Sequence, residues 1–584
     1  MKRSITVLLT ALLFFAFLTG CGQTPSNTDT GVTTTAAATA ATTAAAAAET
    51  TAAAGAETAT TAAAAAETTT AAPAQTTVAT TAASPASQAS SLKEGDFTGY
   101  PIVSADKLVI WNSCLPLHNS YTSDSESPYM QFLSEYTGIE IDWLRPPTGA
   151  EEEQAYNLMI ASGDLPDIIM RYGLAGVCET LLEDGIIIAL NDYMDDYLPS
   201  INAYLNNNEI IKKAIMTDSS QFYMVPGIRE DTEFLGSWLG PVVNKAYLED
   251  VNLDLPETID DWNNMLYAFK DTIDIPFSPY ISGHLRGLFG NSFGFYDGFY
   301  VDLDNKAAHW MNAEGYKDFL ILMNRWFMDG IIDPNFVTMD IQGLAAQLVE
   351  KKIGASYYGT ATPNRFYDAI VERDGDFNYV GVPYPVAKAG DKVLFKQGEL
   401  LTGIGAAITT ACKNVELAAR FLDYGYSEEG LIVWNFGKEG VSFDYVGGKP
   451  VFKDFILNDP EGTTTAMQKY SGTSVDGISL QLTDMILQRD RELSNGYRAV
   501  WGTNAEESAR YRWPATITPT VDEGTELANI QTALLTYADE MYIKFIIGSE
   551  PLDNYDQYLA NLESMNIGRV LDIKNDQLTR YNAR

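Results

Sequence analysis

The sequence predicts an α/β protein built on doubly wound sheets, with a helical C-terminal portion. Three observations carry that prediction. Short apolar runs with strand character alternate with amphipathic stretches from about residue 105 onward. The junctions carry helix caps and turn residues where such alternation needs them. Some 489 residues remain once the low-complexity N-terminal segment is set aside, enough for two large domains.

The elements follow in order. Lys107 to Asn112 (KLVIWN) reads as an apolar strand. Ser127-Pro128 offers an N-cap and an N1 proline. Met130, Phe132, Leu133 and Tyr136 then form a helical apolar stripe that Gly138 ends. Ile139 to Leu144 alternates as a strand. Glu151 to Ser162 reads as a helix with acid in its first turn, and Asp167 to Met170 as a third strand. Ligands of such sheets sit beyond the carboxyl ends of the strands, here Trp111–Ser113, Leu144–Arg145 and Arg171–Tyr172. A second α/β segment follows Met224-Val225-Pro226-Gly227. Thr258 and Asp261 form a capping-box pattern ahead of the helix Trp262 to Phe269. Lys352 to Tyr358 and Tyr379 to Val382 read as strands, and Asn414 caps a helix carrying Leu417, Ala418, Phe421 and Leu422. From about Val521 the pattern is mostly amphipathic helix.

The N-terminus is not fold. Residues 1–20 read as a secretory signal: Lys2 and Arg3 are the positive region and Ile5 to Leu18 the apolar one, short of the roughly 20 residues a membrane span needs. Leu18-Thr19-Gly20-Cys21 resembles the bacterial lipobox, which implies lipidation of Cys21 and an extracytoplasmic protein anchored to the outer face of the cell membrane. Residues 21–95 hold that cysteine and a Thr/Ala-rich tether with near-repeats around Glu49, Glu57 and Glu67, too poor in apolar bulk to build a core. As a coil it would span roughly 45–50 Å.

The net charge is −39, of which −37 falls on residues 96–584. Such acidity excludes nucleic-acid binding through the phosphate backbone, which needs clustered Lys and Arg, and leaves lipid rather than charge to hold the chain at a membrane. It tilts the substrate towards neutral or cationic solutes, unless a local basic patch overrides it. Three histidines in no metal-ligand or triad spacing give no support to histidine catalysis. No cofactor is expected. Cys114 and Cys178 are the nearer of the remaining cysteines that could pair outside the cell.

Several segments resemble one family, the bacterial extracellular solute-binding proteins of ABC importers, in its maltose- and alginate-oligosaccharide-binding branch. Ala161 to Ile168 (ASGDLPDI) is similar to the SGDxPD signature, and Lys107 to Trp111 to the first strand. Ser220 to Pro226 (SQFYMVP) and Pro256 to Trp262 (PETIDDW) are similar to the hinge approach and to a helix start. Leu417 to Gly430 and Trp434 to Gly440 (WNFGKEG) resemble later motifs in the right order. One departure stands out. Where alginate-binding relatives carry a calcium loop, this chain reads Asp271-Thr272-Ile273-Asp274-Ile275-Pro276, with two carboxylates where calcium takes six to eight oxygens. No metal is expected there.

The resemblance implies a two-lobed, periplasmic-binding-protein-like fold, its doubly wound sheets joined by a multi-strand hinge. Residues 96–227 plus 379–432 would form lobe one, and 228–378 plus 433–584 lobe two, with hinges near Val225–Ile228, Tyr379–Val382 and Leu431–Trp434. It implies a monomeric receptor that closes on a soluble ligand, such as an oligosaccharide, and hands it to the transmembrane subunits of an ABC permease. Candidate ligand contacts are Trp111, Asn112, Ser113, Arg171 and Tyr172 at the strand ends. Tyr357 and Tyr358 lie where relatives carry a cleft aromatic. Trp238 follows the first hinge, and Trp434 and Glu439 flank the third. Aromatic planes suit the C–H faces of sugar rings, but aromatics equally fill cores. Trp143, Trp262, Trp310 and Trp326 sit in strand or helix patterns and read as core or surface. A peptide- or small-solute-binding member of the same class would use the same hinge. A glycan-cleaving enzyme would need two carboxylates about 5–10 Å apart, and the 72 acidic groups of the body make chance pairs plentiful.

Overall fold

The computed structural model describes residues 93–584 apart from Gly149, Thr232, Ser282, Gln397, Ser474 and Val475. The signal segment, the lipobox with Cys21 and all of the tether before residue 93 lie outside the described residues.

Two sheets organise the body. The first has six strands in the order Leu480–Gln481, Val225–Arg229, Leu401–Ile408, Ile168–Tyr172, Leu108–Asn112 and Ile141–Leu144. The three expected strands of the N-terminal segment pair in parallel, with Ile110 opposite both Trp143 and Ile168. Leu401–Ile408 enters antiparallel between Ile168–Tyr172 and Val225–Arg229, so the sheet is mixed rather than parallel throughout. The second sheet runs Tyr379–Gly381, Leu239–Asn244, Ile353–Gly359 and Ile275–Pro279. Its strands Leu239–Asn244, Ile275–Pro279 and Ile353–Gly359 are buried at every position, the signature of strands covered on both faces.

Local signals act as their chemistry requires. Thr258 and Asp261 close a reciprocal capping box at the head of Ile259–Lys270, and the Asn414 side chain accepts from Leu417 N. Gly138 ends Pro128–Thr137 at φ 74°, and any Cβ there would lie 2.2 Å from the Ile102 carbonyl oxygen. The long helix Val521–Ile546 carries a second capping box at Thr520 and Glu523 and packs on the core of the four-stranded half.

The chain passes between the halves three times: from Arg229 to Leu239, from Gly381 to Leu401, and from Gln481 to the helix Glu492–Trp501. This differs from the expected division in two places. Tyr379–Gly381 belongs to the four-stranded half, because it pairs with Leu239–Asn244 and the Tyr379 hydroxyl donates to Ile353 O at 2.6 Å. Residues 433 to about 490 stay with the six-stranded half. Trp434 is buried there, the Asn435 amide donates to Leu480 O, and Phe436, Phe443, Phe452, Met485 and Ile486 share a small adjoining core. The expected hinges Val225–Ile228 and Leu431–Trp434 therefore fall inside a strand and inside the helix Glu428–Phe436. The first is paired on both sides and the second is packed in a helix, and the third crossing lies near Asp490.

The strand that leads into the first crossing is tightly packed. A Cβ on Gly227 would sit 1.8 Å from the Gly477 carbonyl oxygen and 2.3 Å from Thr402 Oγ1. Gly227→Ala is expected to lower unfolding free energy by about 1–3 kcal/mol, and a denaturant midpoint equal to wild type would contradict it.

Candidate functional site

The carboxyl ends of the mutually parallel strands in the six-stranded sheet, Asn112, Leu144, Tyr172 and Arg229, lie along the same edge of the sheet. Asn112 is fully buried, and its carbonyl accepts from Leu115 N at 2.9 Å while its amide donates to Asp124 at 3.2 Å. Arg145 donates to the same Asp124 carboxylate at 3.0 and 2.5 Å. Asn112 thus shapes the turn that ends the first strand, and this polar chain ties it to the end of the second. Trp111 is buried, its indole N–H without a partner among the described residues. Ser113 is half-buried and donates its N–H to Met170 O at 3.1 Å.

Successive strand residues point to opposite faces, and Arg171 and Tyr172 divide accordingly. Arg171 turns to the helix Ala150–Ser162: it donates to Glu153 at 2.7 Å and its guanidinium lies 3.7 Å from the Tyr156 ring centre. A local ion pair accounts for Arg171. Tyr172 is 45% exposed, at the end of a strand whose first three residues are buried, and its hydroxyl lies 3.5 Å from Asp476. Asp476 accepts from Arg229 at 3.0 Å, while Arg229 also donates to Leu401 O and Glu399 O. Burial pushes the Asp476 carboxyl above its usual range, against the pull of Arg229. An exposed ring beside a carboxylate and a guanidinium supplies an apolar face plus acceptors and donors, the set a polyhydroxylated ring requires. The strand-end rule points to Tyr172 but not to Arg229, because Val225–Ile228 reads as a hinge and only the structure makes Val225–Arg229 a strand. Asp476 carries no such signal, lying in an aperiodic loop.

On the other half, Trp238 is partly buried just ahead of Leu239–Asn244, and its carbonyl accepts from Thr360 N at 2.9 Å. Four other candidates are placed elsewhere. Tyr357 and Tyr358 are 1% and 0% exposed, their hydroxyls 3.0 Å from Tyr384 Oη and 3.4 Å from Tyr497 Oη. The central strand that carries them is covered on both faces, so neither side of its alternation opens to solvent. Trp434 is fully buried, edge-on to Tyr129 at 5.6 Å, in the core of the six-stranded half. Glu439 is exposed beside the hairpin Phe443–Val446 and Lys449–Phe452, away from the strand ends.

The remaining chemistry is structural. Burial holds His284 neutral, with its pKa near 3, between Tyr280 and Tyr357, and buried His309 is depressed likewise. Cys114, Cys178 and Cys412 are free thiols, so the considered Cys114–Cys178 pairing is not made. Burial pushes Cys178 up to about 12. Asp271 caps the end of Ile259–Lys270, and Asp274 accepts from Lys352 N at 3.1 Å. This pair does not fit a calcium loop.

The family described as "Bacterial extracellular solute-binding protein" matches residues 119–432, more than half of the chain. The fructooligosaccharide ABC transporter substrate-binding protein FusA of Streptococcus pneumoniae serotype 4 is 24% identical over 532 residues, covering 83% of this chain and 92% of the relative. Lipoprotein LipO of Bacillus subtilis strain 168 is 21% identical over 435 residues, covering 71% and 83%. Among solved structures, the alginate-binding protein AlgQ2 without calcium ion aligns with TM-score 0.64 at 20% identity, covering 81% of this chain and 98% of that one. The fold is that of the two-domain periplasmic binding proteins, and the chain belongs to the bacterial extracellular solute-binding protein family.

Proposed function

We propose that the chain is the lipid-anchored receptor of an ABC importer, which captures a soluble oligosaccharide between its lobes and releases it uncleaved to a permease. The observation that carries this reading is Tyr172, an exposed aromatic ring at a strand's carboxyl end beside the Arg229–Asp476 pair. Similarity over most of the chain to a fructooligosaccharide receptor supports the ligand class. In this reading Tyr172 stacks on a sugar face, Asp476 and Arg229 bond its hydroxyls, and Trp238 contributes from the opposite lobe. Trp111 and Ser113 border the site, and Asn112 shapes its wall. Closure is a hinge motion about the three crossings, driven by contacts that exist only when both lobes touch the ligand. The lipobox cysteine Cys21 supplies the anchor, and the tether gives the lobes their reach.

Tyr172→Ala is expected to weaken oligosaccharide binding by about 1 kcal/mol or more, roughly fivefold in Kd, with the melting temperature of the unliganded protein unchanged. A large loss of stability instead would make Tyr172 a packing residue. Chromatography of the recovered sugar checks the other half of the reading: cleavage products would identify an enzyme.

A further inference from the structure

The two halves touch at a place that none of the three crossings reaches. Asp218 sits in the turn between Thr217 and Ser220 of the six-stranded half, preceded by Ile211 and Ile215 in that half's core. Facing it is the C-terminal helix Ile567–Ala583, whose Ile567, Val570 and Ile573 are fixed in the core of the four-stranded half. Asp218 accepts from Arg580 Nε at 2.7 Å and from Arg584 Nε at 2.8 Å, one arginine on each carboxylate oxygen. Arg580 is itself held by Glu523, with bonds of 2.8 and 2.6 Å to its two oxygens. Arg584, the last residue of the sequence, has a side chain only 1% exposed and also donates to Met216 O at 2.5 Å. Two further bonds run between the same halves. Lys213 Nζ donates to Asn582 O at 3.0 Å, and Thr518 Oγ1 donates to Glu179 at 3.2 Å. Glu179 in turn accepts from Asp218 N at 3.1 Å.

We propose that Asp218 with Arg580 and Arg584 forms a clasp that holds the lobes in the arrangement described here, so that hinge rotation requires its rupture. The argument is geometric. Chain crossings bend, but a side-chain contact away from them must break or slide when the lobes rotate. This contact is made of charge-assisted hydrogen bonds, so it can open and re-form without exposing a core. It therefore sets the balance between lobe arrangements in the unliganded receptor, and through that balance the apparent affinity for any ligand that binds one arrangement better. Salt acts on its more open arm, because the Arg580 side chain is 30% exposed, whereas Arg584, 1% exposed, is screened much less.

The test uses the full chain with its native cysteines replaced by serine and spin labels at two exposed positions, one per lobe, introduced as Leu158→Cys and Met328→Cys. Inter-lobe distances are measured without ligand, at low and high salt, in wild type, in Asp218→Asn and in Arg580→Gln/Arg584→Gln. The expected result is a shifted or broadened distribution in both variants at low salt, no further change when the substitutions are combined, and a shift of wild type towards them in high salt. Distributions that coincide with wild type in two folded variants would overturn the proposal. Should either variant fail to fold, the other variant and the salt response of wild type decide, and a salt-independent wild type would count against the clasp.

Discussion

Trp434→Ala is expected to lower unfolding free energy by about 3–5 kcal/mol while leaving any ligand contact of the folded protein in place. Trp434 is fully buried, packs edge-on against Tyr129, and lies in the core that supports the first sheet. Its carbonyl also accepts from Gly472 N, Thr473 N and the Ser471 and Thr473 hydroxyls, which anchors the loop leading to Asp476. Truncation to alanine leaves a cavity that a close-packed interior fills only in part. Equilibrium unfolding in urea measures the loss. A variant with wild-type stability and weakened sugar binding would instead place Trp434 in the site, against its burial.

Arg498→Ala is expected to cost a comparable amount, about 3–5 kcal/mol, because it strips one partner from a buried carboxylate. Asp490 marks the third crossing. It accepts from Arg489 at 2.7 Å and from Arg498 at 2.9 Å, and the Asp490 and Arg498 side chains are 3% and 4% exposed. Arg498 also donates to Leu235 O on the first crossing and to Thr360 Oγ1 in the four-stranded half. One guanidinium thus joins two crossings and a lobe. Burial alone would push the Asp490 carboxyl up, but Arg489 and Arg498 outweigh it and hold it below its usual value. The sign follows. The stabilisation is complete above the unfolded carboxyl value of about 3.9 and is lost as pH falls through the lower folded value. Asp490→Asn should remove that acid-side loss. Unfolding curves of the variants that superimpose on wild type from neutral pH down to acid would show the pair to be inert.

Much of the fold was legible because its signals are local. Caps at Thr258 and Asn414, the Gly138 stop and the alternating strands each act through neighbours in sequence. What stayed hidden rests on distant pairing. Leu401–Ile408 is glycine- and alanine-rich and becomes a central strand only because Ile168–Tyr172 and Val225–Arg229 flank it. Leu480–Gln481 has two residues and no periodicity of its own. The third crossing lies near Asp490 and not at Leu431–Trp434 for the same reason, since the segment after Trp434 is held by contacts with residues far along the chain.

The site divides in the same way. Tyr172 followed from a rule of sheet geometry, and the ring stands exposed at a strand end. Arg171, one residue earlier, faces a helix, as alternation requires. Tyr357 and Tyr358 are aromatics at a place where relatives carry a cleft residue, and Trp434 is an aromatic beside an expected hinge. An aromatic side chain serves a core and a sugar cleft through the same apolar surface, so type alone could not separate the roles. Trp262, Trp310 and Trp326, read as core or surface, are all buried.

The central claim is that the chain binds an oligosaccharide through the Tyr172 face of a two-lobed receptor. Isothermal titration of wild type and Tyr172→Ala against fructo-oligosaccharides, acidic oligosaccharides and peptides tests it most directly. The predicted result is saturable binding of at least one oligosaccharide by wild type, weakened in the equally stable variant, with no heat of turnover. Binding of peptides alone, or sugar binding that Tyr172→Ala leaves untouched, would contradict it.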